Sequence, residues 1–281
     1  MILNLDPDHS FEFPNGGITH RVFFGGSGPG VLLMHEINGL TPAVLRLAAR
    51  IISVGFTVFV PDFFGAPNEV MPMAESIPLV CIRREFQLFA GSGSSRITPW
   101  LRALTKEINQ RTGGKGIGVI GLCLTGNVVL SLMVDPIVKV PVMCEPGLPF
   151  LHPCSLGTPE DDINNAVTRS DVDPLYAYRF TTDWICPATR FNTLREKFDV
   201  AKHPDRLHIW EIPTGKRAPF KIPNRSHSVL TGNYHHEEDC NHPVQHVLDQ
   251  ILMQLRVKLG VAAKPPTCDN RPPRERRAPF P

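Results

Sequence analysis

Short apolar runs alternate with amphipathic stretches along most of the chain. The run Val31–His35 follows a turn rich in glycine and proline, and a second run, Phe56–Val60, ends at a proline. Between these runs, Thr41 and Pro42 are typical of a helix N-terminus, and the apolar spacing that follows places one helix face on a core. Apolar strands joined by a helix are typical of a parallel sheet that is covered on both faces.

The same alternation continues toward the end of the chain. It predicts helices at 98–110, 124–133, 187–198 and 244–259, and strands at 117–120, 138–144, 176–180 and 207–212. The stretch 66–94 is predicted to be an irregular insertion, and 145–173, rich in Pro, Gly and Asp, to be a long loop. These elements predict the α/β class.

The end of the chain differs from the rest in composition. Residues 264–281 contain six prolines, four arginines and almost no apolar side chains, a composition typical of disorder. A length of 281 residues suits one large α/β domain. We therefore predict a single domain over residues 1–260, followed by a disordered tail over 261–281.

Charge, hydropathy and cysteine content exclude several classes of protein. The chain has 29 Lys and Arg against 27 Asp and Glu, a balance that argues against a dedicated nucleic-acid binder. No apolar run reaches the roughly 18 residues that a membrane span needs, and no signal peptide is visible. Seven irregularly spaced cysteines without a CxxC pair favour reduced intracellular thiols. We expect a cytoplasmic protein whose partner is a small molecule, not nucleic acid or a membrane.

The segment 118–126, GVIGLCLTG, carries the most informative motif. A buried strand leads into a helix through a turn with Cys123 at its apex, which is the arrangement of the G-x-S-x-G elbow with cysteine in place of serine. Gly121 is the small residue before the nucleophile, and Thr125 stands where the second glycine is usual. A thiol at a helix N-terminus benefits from N–H groups that favour the thiolate and bind an oxyanion. The alternative is a small buried structural cysteine.

Two other patterns point to different chemistry. The stretch GIGVIG at 116–121 matches the dinucleotide motif G-x-G-x-x-G, but its glycines lie before and within the predicted strand rather than after it. The cluster at 235–240, followed by His242, suggests metal ligands, but adjacent ligands rarely converge on one ion, and a solvated acidic helix turn is favoured. We expect no metal and no organic cofactor.

A cysteine nucleophile needs a base and a group that orients the base. Asp183 follows the strand at 176–180, and His227 lies in a polar loop after the last strand. Both are therefore predicted at the carboxyl edge of the sheet, in the chain order nucleophile, acid, histidine. Asp171 and Asp173 are rival acids, but they precede the strand. A helix cap for Asp183 and a surface position for His227 are the alternatives.

Together these motifs resemble the dienelactone hydrolase family of α/β-hydrolases from about residue 28 to residue 258. The resemblance rests on GPGVLLMHEINGL (28–40), GFTVFVPDFFG (55–65), GVIGLCLTGN (118–127), DWICPA (183–188) and SHSVLT (226–231). It implies the α/β-hydrolase fold, with a mostly parallel central sheet and helices on both faces.

The resemblance also implies roles for the candidate site residues. Cys123 would be the nucleophile, His227 the general base and acid, and Asp183 the group that orients the imidazole. Glu36 would hold the resting thiol, because a carboxylate beside a thiol disfavours the thiolate. The chemistry implied is hydrolysis of small esters or lactones through a thioester intermediate.

Further residues follow from the same resemblance. Backbone N–H groups of Ile37 and Leu124 would form the oxyanion hole. The dienelactone enzymes bind the substrate carboxylate with arginines, one of them four residues beyond the histidine, where this chain has Thr231. Arg83 and Arg84 fall near the place of a second arginine. A broad carboxylesterase or thioesterase on the same triad, and a non-catalytic binding protein of this fold, are the alternatives.

Overall fold

One eight-stranded sheet organises the part of the chain that this computed structural model describes: residues 3, 5–72, 74, 75, 78, 86, 95–216, 218, 220–232 and 241–262. Its strands are β1 (Ser10–Asn15), β2 (Ile18–Gly26), β3 (Gly30–Met34), β4 (Thr57–Asp62), β5 (Ile117–Leu122), β6 (Val138–Cys144), β7 (Leu175–Phe180) and β8 (Leu207–Ile212). They lie in the order β1-β2-β4-β3-β5-β6-β7-β8. The pairings of β2 with β1 and with β4 are antiparallel, and all other pairings are parallel. The predicted mostly parallel sheet is confirmed.

Helices cover both faces of this sheet. They are α1 (Pro42–Ser53), α2 (Ile97–Arg111), α3 (Val128–Leu132), α4 (Glu160–Arg169), α5 (Ala188–Lys197) and α6 (Pro243–Leu259). Apolar side chains of α1 and α6 form one buried cluster with one face of the strands, and those of α2 to α5 form a second cluster with the opposite face. This arrangement confirms the predicted α/β fold, and parallel pairing brings the carboxyl ends of β3 and of β5 to β8 to one edge.

The local signals for most central elements are confirmed. The Thr41 hydroxyl accepts a hydrogen bond from the Val44 N–H at 3.3 Å, and Pro42 opens α1. Strands β6 and β8 have the predicted bounds, and most other predicted ends differ by a few residues. Terminal residues are the least determined part of any such prediction because helix and strand ends fray.

The segment after Cys123 differs from the prediction of a continuous helix over 124–133, which is wrong. Cys123–Thr125 form a single 3₁₀ turn, and α3 covers only Val128–Leu132. The backbone at Cys123 has a φ of 48°, in the left-handed region. The N–H groups of Gly126 and Val129 bond to carbonyl oxygens three residues earlier, at 3.0 and 3.3 Å, so the chain after Cys123 is wound in tighter 3₁₀ turns before the α-helix starts.

A helix also interrupts the stretch predicted as a loop over 145–173. That prediction is wrong for Glu160–Arg169, which form α4. Only Ile163 and Ala166 of this helix are buried, so it lacks the apolar periodicity by which helices are predicted. Three acidic residues in its first turn stabilise its N-terminus by interacting with the helix dipole.

The hairpin of β1 and β2 is absent from the predicted elements, although it has a recognisable signal. Gly16 and Gly17 connect the two strands with φ values of 58° and 78°, which residues with a Cβ rarely adopt. A Gly-Gly pair between alternating strands is typical of such a two-residue turn. The alternation of apolar and polar residues along these six- and nine-residue strands is weak. The glycine turn is therefore the clearer indication of a hairpin in the sequence.

Several predicted features lie outside the described residues. These are Arg83 and Arg84, most of the second half of the insertion, the cluster at 235–240 and nearly all of the tail over 261–281. The division into one domain and a tail therefore stays a prediction. Within the described ranges, none of the helices combines the length and the hydropathy needed to cross a membrane.

Candidate functional site

The turn between β5 and α3 presents Cys123 at the carboxyl edge of the sheet. Its φ of 48° places it in a conformation that residues other than glycine adopt at an energetic cost, and such strain is concentrated at functional sites. The residue is 8% exposed. A Cβ at Gly147 would lie 3.2 Å from both the Cys123 sulfur and Ile185 Cγ2, so the backbone after β6 passes close to the thiol.

Close packing around this turn explains the small residues beside Cys123. A Cβ at Gly121 would lie 2.6 Å from the Thr125 carbonyl oxygen, too close for a side chain at that position. Thr125, where glycine is usual, is fully buried. Its hydroxyl accepts a hydrogen bond from the Leu122 N–H at 2.9 Å and donates to the Met34 carbonyl oxygen at 3.1 Å. Thr125 therefore links the elbow to the end of β3.

A second loop, after β7, holds Asp183 in a fixed orientation. Oδ1 of Asp183 accepts hydrogen bonds from the backbone N–H groups of Ile185 and Cys186 at 2.9 and 3.0 Å. The buried Arg179 donates from Nε to the Cys186 carbonyl oxygen at 2.8 Å. With Oδ1 occupied in this way, Oδ2 is directed at the loop that follows β8.

That third loop brings His227 onto the carboxylate. Nδ1 of His227 and Oδ2 of Asp183 lie 2.7 Å apart, so Nδ1–H donates to the carboxylate. The imidazole interacts with the Cys123 thiol, although Nε2 makes no regular hydrogen bond with any described residue. Burial by itself would lower the pKa of His227, but interactions with Cys123 and Asp183 raise this pKa well above its ordinary value. Cys123, His227 and Asp183 are thus brought together from three distant stretches of the chain.

Comparison with known proteins identifies the family of this chain. Residues 24–214, well over half of its length, match the dienelactone hydrolase family. The chain belongs to the dienelactone hydrolase family. It is accordingly a carboxylic ester hydrolase that acts on esters or lactones. None of the curated proteins matches the sequence.

Solved structures that are similar to this dienelactone hydrolase family member share its fold at low sequence identity. A protein from Klebsiella pneumoniae assigned as a dienelactone hydrolase is 18% identical, with a TM-score of 0.60, covering 86% of this chain and 96% of its own. A dienelactone hydrolase-like promiscuous phosphotriesterase from metagenomic libraries is 14% identical, with a TM-score of 0.59, covering 88% and 97%. A cold-adapted esterase from an Arctic intertidal metagenomic library is 15% identical, with a TM-score of 0.53, covering 88% and 92%.

Glu36, after β3, adds a second carboxyl group to this edge of the sheet. It is 6% exposed, and its Oε1 accepts a hydrogen bond from the Thr231 hydroxyl at 2.9 Å. Thr231 stands where the family resemblance implies an arginine, so this position provides a neutral donor to Glu36. Ile37 follows β3 and Leu124 follows β5, and these two strands are parallel neighbours, so the two predicted oxyanion-hole residues lie in adjacent loops.

The rival acids lie elsewhere in the fold. Asp171 forms an exposed ion pair with Arg206 at 2.6 Å, and Asp173 pairs with Lys258 at 3.1 Å. Both aspartates precede β7, at the amino end of a parallel strand, and so lie at the opposite edge of the sheet from the Cys123 turn. The glycines of the dinucleotide-like motif lie before and within β5, as expected.

His35, beside Glu36, is a structural residue that fixes the backbone at the end of β3. Its Nδ1–H donates to the Glu36 carbonyl oxygen at 2.7 Å, and its Nε2 accepts from the Phe63 N–H at 3.2 Å. The bond accepted by Nε2 requires the neutral imidazole, because the protonated ring has no acceptor. Burial, reinforced by the nearby His20, lowers the pKa of His35 to about 4, against the opposing effect of the bond to Glu36.

This depressed pKa predicts a loss of stability in mild acid. An unfolded histidine has a pKa of about 6.5, so between pH 6.5 and 4 the unfolded chain binds the proton that folded His35 excludes. The free energy of unfolding should therefore fall as the pH falls through this window, by about 3 kcal/mol from His35 alone. Urea unfolding of the wild type and of His35→Gln at pH 7, 5 and 4 measures the effect.

The variant should start lower at pH 7, by about 1–2 kcal/mol for a lost hydrogen bond, and then lose less than the wild type on acidification. Parallel stability curves for the two proteins would show that His35 does not titrate in this way.

Sequence reasoning missed two buried polar residues of this site. Glu145 directly follows β6, and its Oε2 accepts from the Val229 N–H at 3.0 Å. Arg190, in α5, is fully buried and donates to backbone carbonyls of the loops after β6 and β7. A polar residue at the carboxyl end of a parallel strand is a usable signal for Glu145. No local pattern marks Arg190, because its partners lie up to 44 residues away along the chain.

Proposed function

We propose that this ester hydrolase uses Cys123 as its nucleophile, His227 as general base and acid, and Asp183 to orient the imidazole. The supporting observation is the 2.7 Å bond between His227 and Asp183 beside a cysteine in left-handed backbone geometry. A nucleophile, a base and an orienting acid in mutual reach are the requirements for acyl transfer.

In the first half-reaction the Cys123 thiol gives its proton to His227 Nε2, and the sulfur attacks the acyl carbon. The carbonyl oxygen becomes an oxyanion that accepts hydrogen bonds from the Ile37 and Leu124 N–H groups. The C–O bond to the alcohol then breaks, the imidazolium gives its proton to the departing oxygen, and a thioester remains. The raised pKa of His227 favours proton transfer from the thiol.

In the second half-reaction water attacks the thioester. His227 Nε2 takes a proton from the water, and the resulting tetrahedral oxyanion occupies the same hole. Collapse of this intermediate breaks the C–S bond, and the sulfur regains the proton from the imidazolium. Thiolate is a good leaving group in both directions, so esters with activated leaving groups, such as enols or phenols, should react faster than ordinary amides.

Two further roles belong to the same proposal. Glu36 would hold the resting thiol until substrate binds, because a nearby carboxylate disfavours the thiolate. Arg83 and Arg84 would bind a substrate carboxylate. The hydrogen bond from the Thr231 hydroxyl would hold the Glu36 side chain in place while the thioester on Cys123 forms.

The proposal is tested by trapping the thioester. Rapid quenching during turnover of an aryl ester, followed by intact-mass and peptide analysis, should place one acyl group on Cys123. Cys154 is exposed and free, so Cys154→Ser is the matched control and should leave the adduct unchanged. An adduct on another residue, or turnover without any adduct, would contradict the thioester mechanism.

A broad carboxylesterase or thioesterase is the second candidate. It is favoured by exposed aromatic side chains next to Asp183 and by the neutral residue at position 231. Trp184, beside Asp183, is 58% exposed, and its ring packs edge-on against Phe150 with centroids 5.6 Å apart. This aromatic pair suits an uncharged, apolar substrate. Thr231 provides no cation for an anionic one.

Matched pairs of esters that share a leaving group but differ in acyl charge separate the two candidates. A carboxylate clamp predicts a kcat/KM about tenfold or more higher for the anionic member, since charge-assisted hydrogen bonds contribute about 1.5–3 kcal/mol. Equal kcat/KM values, or a preference for the neutral ester, would favour the broad esterase.

A further inference from the structure

Glu145 is a buried acid for which the proposed chemistry has no use. It follows β6 directly, is 0% exposed, and has a φ of 34°, a left-handed conformation that non-glycine residues rarely adopt. Its N–H donates to the Tyr178 carbonyl oxygen at 2.8 Å, which anchors this conformation to β7. Strained backbone at a buried polar residue is characteristic of functional sites.

The carboxyl group of Glu145 connects the end of β6 to the loop of the general base. Oε2 accepts a hydrogen bond from the Val229 N–H at 3.0 Å, and Val229 is two residues beyond His227. Oε1 is buried and has no hydrogen-bond partner among the described residues. The bond thus fixes the backbone of the His227 loop, independently of the bond between His227 and Asp183.

The charges around Glu145 disfavour a third carboxylate. Among the described residues, the acids Glu36 and Asp183 and the base His227, which is bonded to Asp183, interact electrostatically with its carboxyl group. The thiols of Cys144 and Cys186 also interact with it. Burial raises the pKa of Glu145 well above its ordinary value and Glu36 raises it further, while His227 and the Val229 N–H act in the opposite direction.

We propose that Glu145 is a positioning residue, which holds the His227 loop in place as an uncharged carboxylic acid. In that form its carbonyl oxygen still accepts the Val229 N–H, and Asp183 remains the one carboxylate bonded to the imidazole. An ionised Glu145 would stabilise the imidazolium and slow its proton transfer to the leaving alcohol. The effect on turnover rests on the proposed function, whereas the protonation state of Glu145 does not.

Two substitutions separate position from charge. Glu145→Gln retains a carbonyl acceptor for Val229 without a charge, so its kcat at neutral pH should stay close to that of the wild type. Glu145→Ala removes the acceptor, and kcat should fall by about 10- to 100-fold with little change in KM, since small displacements of a catalytic group have effects of this size. Thermal unfolding and circular dichroism establish that both variants are folded.

Infrared difference spectroscopy gives a readout that does not depend on turnover. Subtracting the spectrum of Glu145→Gln from that of the wild type at pH 7 should reveal the C=O stretch of a protonated carboxylic acid. Glu196→Gln, at an exposed position of α5, is the matched control and should show only the loss of a carboxylate.

Three results would each overturn the proposal. They are a Glu145→Gln variant as impaired as Glu145→Ala, a Glu145→Ala variant with wild-type kcat, and a carboxylate band in place of the protonated band. Failure of the proposed function would be recognised separately, because Cys123→Ala would then retain turnover while the infrared result for Glu145 stood unchanged.

Discussion

Replacing Cys123 by alanine should reduce kcat for an activated aryl ester by about 10⁴-fold or more, the size of loss seen when the nucleophile of a triad is removed. The physical reason is that alanine cannot form the thioester, so only water activated by His227 and the oxyanion-hole donors would remain. The same variant should form no acyl adduct. Initial rates across substrate concentrations, with intact-mass analysis of the quenched enzyme, measure both effects.

The surroundings of Cys123 make this substitution informative. The side chain is small and nearly buried, so alanine leaves only the space of one sulfur atom and the fold should persist. Cys154→Ser, at an exposed free cysteine, controls for general loss of a thiol and should retain wild-type kcat. Turnover by Cys123→Ala within tenfold of the wild type would mean that this ester hydrolase uses another nucleophile.

The position of Cys123 could be predicted because local and global signals coincide there. A strand, a glycine and a nucleophile before a helix start form a contiguous pattern, and parallel pairing then fixes the edge at which the side chain emerges. Asp183 and His227 follow from the same rule, since each comes after a later parallel strand. The order of the strands along the chain predicts that these two residues lie in nearby loops, and the structure adds the 2.7 Å hydrogen bond between them.

Other features depend on contacts that no local pattern encodes. The bond from Thr231 to Glu36 joins residues 195 positions apart, and the bond from Val229 to Glu145 joins residues 84 positions apart. Helix α4 is not predicted for a different reason: it buries only two apolar side chains, so its local apolar pattern is weak. The sequence therefore predicts which edge of the sheet holds the site, while tertiary packing determines how its buried acids are bonded.

Arg190 should have the largest effect on stability among the buried polar residues near the site. It is 0% exposed, and burial lowers its pKa, an effect partly opposed by nearby acidic and thiol groups. Its guanidinium donates to five backbone carbonyl oxygens, at distances of 2.6 to 3.3 Å. These carbonyls belong to Pro146, Pro149, His152, Ser155 and Ile185. The Arg190 side chain thus supplies hydrogen-bond donors to buried carbonyl groups of an irregular segment, which in a helix or sheet would be bonded to other backbone groups.

Arg190→Met should lower the free energy of unfolding by about 3–5 kcal/mol, because methionine fills much of the stem volume but leaves the buried carbonyls without donors. Urea unfolding measures this loss. Arg195→Met, on the same helix, removes a partly exposed ion pair with Glu211 and should lower the free energy by at most about 1 kcal/mol. Equal stabilities of the two variants would show that the loop carbonyls are satisfied without Arg190.

Arg190→Met should also reduce turnover. The loop held by Arg190 contains Gly147, whose backbone passes close to the Cys123 sulfur. Arg190→Lys distinguishes the two consequences, because lysine keeps the charge but offers three donors in place of the five of the guanidinium. We expect it to have an intermediate stability and an intermediate kcat. If the charge alone mattered, the lysine variant would match the wild type; if the donors matter, stability and kcat should fall together across the three proteins.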